Sequence, residues 1–300
     1  MARATPRPDN VFNLFDDDLV ADEVSVGHRV LSATQAPPPA GQVLDLTGKP
    51  KLLMAFGSGG SGKSTLLRWV AERSIATGST AKLVAIDPGE RSLMNYFPPG
   101  AVYEPVTADN VPTHDAAQVA TWLKAFFGAL VKQQVSGLID TGGGDTAVEK
   151  VLQDMPRLVD DLAAEGIATV AVYMFAPRTD DVGPLATLTG AGFSPAATAL
   201  VINEGAVRPS DGDPALAFRE IKRHSVYRAA LDRGAVELHM PVLSIAKKIS
   251  DRSLQFGQAR DGVAPEGKKV VPLGWSDRAV LRSWLTRMDD AFAPIVSWWP

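Results

Sequence analysis

Residues Gly57 to Thr65 read GSGGSGKST and satisfy the pattern G-x-x-x-x-G-K-[ST] in full. They follow the apolar run Leu52-Leu53-Met54-Ala55-Phe56 and precede Leu66, Leu67, Trp69 and Val70, which recur at helical spacing. Such a loop works between a strand that delivers it and a helix whose N-terminus receives an anion. Glycine at 59, 60 and 62 lets consecutive backbone N–H groups turn toward one phosphate with no side chain in the way. Lys63 would reach the β- and γ-phosphates, and the Ser64 hydroxyl would hold Mg²⁺. An ordinary Gly-rich turn can share this composition, but it does not require this order of strand, loop and helix. The motif in its context implies a nucleoside triphosphate site.

From Lys51 onward, apolar runs alternate with helical patterns. Strands are expected over Lys51–Phe56, Lys82–Ile86, Ser136–Asp140, Thr169–Phe175, Ala199–Asn203 and Ala235–Leu238. The runs are mostly unbroken rather than alternating, which suits strands buried on both faces. Helices are expected at 63–77, 116–133, 146–165, 181–190 and 214–231. Strand–helix alternation of this kind implies an α/β fold: a three-layer P-loop NTPase domain, its mostly parallel sheet covered by helices on both faces. We assign it to residues 46–300 as a single unit. Residues 1–45 differ, with an acidic cluster (Asp16, Asp17, Asp18, Asp22, Glu23) and prolines at 37, 38 and 39. That composition buries little apolar surface and predicts a flexible arm, in which Val11, Phe12, Leu14, Phe15 and Leu19 could form a short docking helix.

Composition narrows the chemistry. There is no cysteine, which excludes disulfides, thiolate catalysis and cysteine-ligated zinc. The four histidines, His28, His114, His224 and His239, include no close pair, so a structural metal site is not expected. No apolar run approaches the roughly 20 residues of a membrane span. Nor does the N-terminus carry a signal-like apolar stretch, so the expected location is cytoplasmic. The net charge of −4 is uneven. Residues 1–218 hold 16 Lys/Arg against 25 Asp/Glu, and residues 219–300 hold 14 against 9. A basic segment on an acidic body reads either as a weak nucleic-acid footprint or as ordinary solvated helix faces.

In a parallel sheet, ligands sit at the carboxyl ends of the strands. Those ends carry Asp87-Pro88-Gly89, then Asp140-Thr141-Gly142-Gly143-Gly144-Asp145, then Ala176-Pro177-Arg178, then Asn203-Glu204-Gly205. Two carboxylates and a glycine run suit a Mg–nucleotide site, one acid holding the metal's water shell and another orienting the attacking water. Each aspartate could equally cap the next helix, and for Asp145 capping is the preferred reading.

GSGGSGKST, AIDPGE, GLIDTGGGD and ALVINEG, in this order, resemble the ParA/MinD family of deviant Walker A ATPases. The likeness spans most of residues 50–250. Within the family, IDTGGGD, the strand ending in NEG and the tail SLQFGQARDG…WLTRMDDAFAPI look similar to plasmid-borne TraL- or StbB-like members, associated with conjugal transfer or plasmid stability. The resemblance implies that Gly59, Gly60, Ser61, Gly62, Lys63, Ser64 and Thr65 cradle ATP, that Asp87 helps activate water, and that Asp140 is linked to Mg²⁺ through water. It places Gly142 and Gly143 where the γ-phosphate is sensed and Asn203 where the base, usually adenine, is contacted. Ser64, Asp87 and Asp140 form the implied metal set, and Lys63, Asp87 and Asp140 the implied catalytic set.

Two positions depart from the family. Its signature lysine, which reaches across an ATP-sandwiched dimer, is Ser58 here, and the first aspartate of D-x-D-P is Ala85. A serine cannot supply the cationic contact that stabilises transition-state charge. Hydrolysis is therefore expected to be slow or partner-dependent, unless Arg178 or Arg91 supplies the cation.

The tail from Ser276 carries Val280, Leu281, Trp284, Leu285, Met288, Phe292 and Ile295 in one apolar stripe, predicting an amphipathic helix over about 276–296. Its other face mixes three aspartates with three arginines, which favours packing on the domain over a partner surface, and either over a membrane. Trp298 and Trp299 are expected to fold back onto the body. Lys247, Lys248, Arg252, Arg260, Lys268 and Lys269 are the candidates for non-specific DNA contact. The leading reading is a cytoplasmic, Mg-dependent ATP switch serving plasmid or mobile-element transfer, partition or stability, with a protein partner and a homodimer implied by the resemblance. A nucleotide-binding scaffold without turnover and a small-molecule kinase are the alternatives.

Overall fold

The computed structural model describes residues 43–86, 93–98, 100–142, 146–208, 211–264 and 269–300. Nearly all of the expected arm, together with Asp87, Arg91, Gly143, Asp145 and Lys268, lies outside them. Seven strands form one sheet: β1 (Lys51–Phe56), β2 (Lys82–Ala85), β3 (Val102–Tyr103), β4 (Gly137–Asp140), β5 (Ala168–Phe175), β6 (Ala197–Asn203) and β7 (Val236–Met240). Their spatial order is β3-β2-β4-β1-β5-β6-β7, and every pairing is parallel. The helices are α1 (Lys63–Ala76), α2 (Ala116–Gln133), α3 (Ala147–Asp154), α4 (Leu158–Ala164), α5 (Gly183–Gly190), α6 (Pro214–Ala217), α7 (Arg219–Arg223), α8 (Ser225–Asp232), α9 (Ala246–Ser250), α10 (Phe256–Asp261) and α11 (Trp275–Phe292).

The central strands are apolar at consecutive positions because both of their faces are covered. Leu53 and Ala55 of β1 point into a core shared with α1, α9, α10 and α11, whereas Leu52, Met54 and Phe56 point into a second core under α2, α3, α4, α5 and α8. Strand β5 divides the same way, with Val170, Val172 and Met174 on one side and Ala171, Tyr173 and Phe175 on the other. Each large side chain so buried contributes about 1.5–3 kcal/mol of transfer free energy. The β1 register, Ala55 opposite Asp140 and Phe56 opposite Tyr173, brings three strand ends together where the strand order reverses.

Three features depart from the expected pattern. The helix expected over 146–165 is split at Pro156, which lacks an N–H and excludes the preceding turn from helical geometry, so α3 ends at Asp154 and α4 begins at Leu158. The stretch 214–231 is three short helices. Ile221 and Tyr227 are both buried in the second core, yet six residues apart they would point about 120° from each other on one continuous helix. The break at His224, whose Nδ1 accepts the Val226 N–H at 3.3 Å, restores the face. Finally, β3, α9 and α10 are too short for periodicity to reveal.

Helix α11 lays Leu281, Trp284, Met288 and Phe292 against the first core, while Val280 of the expected stripe stays exposed. The chain then turns, and Trp298 and Trp299 are buried; the Trp298 indole donates to the Leu44 carbonyl at 2.7 Å. No helix among the described residues is long and apolar enough to cross a membrane.

Candidate phosphate-binding site

The loop leaves β1 at Gly57 (φ 148°) and enters α1 at Gly62 (φ 99°), two conformations in which a side chain is strained. Space is short as well. A Cβ on Gly57 would lie 2.7 Å from the Met174 carbonyl oxygen, and one on Gly62 would collide with the Asn203 carboxamide. Gly59 and Gly60 are exposed and have open space around them. The loop is therefore locked at its two ends and open in its middle, as a cradle must be.

Lys63 is buried, and its ammonium donates to the carbonyls of Gly57 at 2.8 Å and Ser58 at 3.3 Å. An arriving phosphate would offer this ammonium an anionic acceptor, and charge-assisted hydrogen bonds are about twice as strong as neutral ones. Ser64 Oγ donates to Asp140 Oδ2 at 2.9 Å, joining the first turn of α1 to the end of β4. Two hard oxygen donors side by side fit Mg²⁺, which takes one or two protein ligands and fills its octahedron with water and phosphate oxygen. Among the described residues no three His, Asp or Glu side chains gather as a metal cage.

Four side chains hold the loop and its flank. Thr141 Oγ1 donates to the Ala55 carbonyl at 2.5 Å, fixing the start of the glycine run to β1. Asn203, at the end of β6, donates through Nδ2 to the Ser61 carbonyl at 2.8 Å and accepts the Gly205 N–H at 3.0 Å. The residue expected to contact the base is thus placed as a brace of the loop. Arg178, which follows β5, donates through Nη2 to Ser58 Oγ at 2.6 Å and to the Gly59 carbonyl at 2.8 Å. Beneath it lies Asp181, whose side chain is fully buried; it accepts the Ala176 N–H at 2.5 Å and the Ser58 hydroxyl. Thr141 and Asp181 escaped the reading of the sequence. Nothing in a lone threonine or aspartate marks a loop brace, although Asp181 stands three residues from an arginine at a strand end.

The structure thus brings together Gly57–Thr65, Asp140, Gly142 and Asn203, which lie far apart in sequence. The basic segment is not bare. Lys247 pairs with Asp251 at 2.8 Å, Lys248 with Asp277 at 2.9 Å and Arg260 with Asp261 at 2.7 Å, and Arg252 donates to the carbonyls of Lys248 and Val271.

A seven-stranded parallel sheet with this loop after its central strand defines the class: an α/β P-loop fold. No family model matches the chain, and no curated protein does. Among solved structures it is similar to the MinC:MinD cell division protein complex of Aquifex aeolicus, at 11% identity and a TM-score of 0.40, over 80% of this chain and 96% of that one. It is also similar to the cell division protein FtsY of Thermotoga maritima, at 13% identity and a TM-score of 0.37, over 82% of this chain and 72% of that one. The loop and the sheet order, rather than these distant likenesses, define the class.

Proposed function

We propose that the chain binds Mg–ATP at Gly57–Thr65 and uses the bound triphosphate as a conformational switch of the ParA/MinD type, in plasmid or mobile-element transfer, partition or stability. The observation that carries the reading is the Ser64–Asp140 contact at 2.9 Å beside the buried Lys63 ammonium, a ready set of phosphate and metal ligands at converging strand ends. Bound Mg²⁺ would neutralise charge between the β- and γ-phosphates. The chain's own residues do the rest. The loop N–H groups orient the phosphates, Lys63 holds their terminal end, Asp140 fixes the Ser64 hydroxyl, and Asn203 holds the loop closed. A switch requires that one arrangement of the segments after β2 and β4 bind triphosphate better than diphosphate. The plasmid role rests on the motif order alone.

The test is nucleotide binding by the full chain, followed by its mass in solution with Mg–ADP and with a non-hydrolysable ATP analogue. The reading expects ATP to bind, Lys63→Ala to lose that binding, and the mass or partner binding to change with the γ-phosphate. Unaltered affinity in Lys63→Ala would overturn it. One observation favours a second reading. A cleft of about 210 Å³ opens beside Gly57, lined by Thr141, Gly142, Glu149, Pro184 and Thr187, with room for a small phosphoryl acceptor. Phosphate transfer that depends on an added metabolite would select that kinase reading.

A further inference from the structure

We infer that Arg178 supplies, from the same chain, the cationic contact to the terminal phosphate that the loop lacks at Ser58; the inference rests on the triphosphate reading above. Strand β5 lies next to β1, so the residues that follow it emerge beside the loop. Arg178 crosses that gap, and its Nη2 bonds to Ser58 Oγ and to the Gly59 carbonyl at 2.6 and 2.8 Å. The second position of the loop, too short to reach a phosphate itself, has become the seat of a longer cation.

Asp181 fixes that seat. Its buried carboxylate is oriented by the Ala176 N–H, accepts the Ser58 hydroxyl and lies 3.6 Å from the Arg178 guanidinium. Ser58 can therefore accept from the arginine while donating to the aspartate, a chain of three groups with one consistent direction.

Lys63 bonds to the carbonyls of Gly57 and Ser58, and Arg178 to the carbonyl of Gly59 and the hydroxyl of Ser58. Both cations thus converge on Gly57–Gly59, the end of the loop that the motif lysine serves, and not on the helix N-terminus at Gly62–Thr65. A guanidinium has five N–H donors, and the hydrogen bonds of Arg178 among the described residues use Nη2 alone. Nε and Nη1 donate no hydrogen bond among the described residues, and the side chain is 44% exposed. Only neutral oxygens accept its Nη2 hydrogen bonds, and a phosphate is the stronger acceptor for a planar fork. Because the cation comes from the same chain, sensing of the γ-phosphate needs no second copy.

The experiment measures affinities of the full chain for Mg–ADP and for Mg–AMPPNP by calorimetry, at protein concentrations where it is monomeric. Arg178→Ala should weaken AMPPNP by about tenfold or more, the usual loss for a hydrogen bond to a charged group, and leave ADP within about twofold. Arg178→Lys, which keeps a cation in the same chain, should retain the preference for triphosphate that Arg178→Ala loses. Thermal melting checks that each variant folds, with Arg178→Gln, which keeps a donor for Gly59, as the second variant. An equal loss for both nucleotides makes Arg178 a brace of the loop and overturns the inference, as does no loss for either. If the wild-type chain binds neither nucleotide, the triphosphate reading itself falls.

Discussion

Asn203 and Ser61, 142 positions apart, are joined by a 2.8 Å hydrogen bond from the Asn203 carboxamide nitrogen to the Ser61 carbonyl oxygen, which ties the end of β6 to the crown of the phosphate loop. The same carboxamide stands where a side chain on Gly62 would have to go. Loop shape is therefore held from outside the loop, by a strand two places away from β1 in the sheet.

Replacing Asn203 by Leu removes that bond and leaves the buried Ser61 carbonyl without its partner, at a cost of about 1–3 kcal/mol. We expect weaker binding of both ATP and ADP, because the loop rather than one phosphate is affected. Gly62→Ala, strained at φ 99° and crowded by Asn203 and Met240, should lose binding more completely. Calorimetric titration of both variants checks this, and wild-type affinity in either would remove Asn203 as a brace.

Asp140→Asn keeps the shape of the side chain but removes the charge beside Ser64. The expected result is a shift to higher Mg²⁺ concentration for half-maximal ATP binding, with little change in the metal-free affinity. Ser64→Ala should behave alike, since its hydroxyl and Asp140 lie 2.9 Å apart as one unit. A Mg²⁺ titration of nucleotide binding reads both.

Arg68 of α1 is 3% exposed, and its guanidinium stacks on the rings of Phe256 at 3.6 Å and Tyr96 at 4.1 Å. Its neighbour Glu72 accepts the Phe256 and Gly257 N–H groups at 2.7 and 2.8 Å, which fastens α10 to the helix that follows the loop. Burial pushes the Glu72 carboxyl above the ordinary value, and those N–H groups, Arg68 and Arg260 offset it only in part. Arg68→Ala would remove the nearer of two cations from that carboxylate and empty the space between Tyr96 and Phe256, so we expect a loss of about 2–4 kcal/mol. Urea unfolding measures it; a loss under about 1 kcal/mol would place Arg68 among surface-like residues.

On the edge strand β7, burial alone would raise the Glu237 carboxyl. The Lys222 ammonium at 2.6 Å and the Tyr227 hydroxyl at 2.7 Å more than reverse this, and its pKa lies below the ordinary 4.5. A carboxylate with a depressed pKa stabilises the fold above its unfolded value, and that contribution is lost as pH falls through the folded value. The stability difference between wild type and Glu237→Gln should therefore be full above pH 4.5 and shrink below it. Urea midpoints across pH 3 to 6 test the slope; a difference that grows on acidification would contradict the assignment.

Much of the fold was legible because its central strands are buried on both faces and helices such as α2 and α3 bury one apolar side, so local pattern and tertiary position agree. Strand β1 and helix α2 fall where periodicity places them. Where the two disagree, a specific cause is at hand: Pro156 breaks the α3–α4 stretch, and α6–α8 are re-registered by the burial of Tyr227.

For the site, the chain itself determined the loop, because a phosphate cradle is local: glycines, a lysine and a hydroxyl within nine consecutive residues. It also determined that Asp140 and Asn203 end strands, since strand ends follow from the apolar runs before them. Only the tertiary structure decided what meets the loop. Parallel pairing of β1 with β4 and β5 sets Asp140 against Ser64 and brings Arg178 onto Ser58, and β6 next to β5 carries Asn203 to Ser61. Sheet order depends on which crossover buries which helix face, a property of the whole core. No window of sequence contains it.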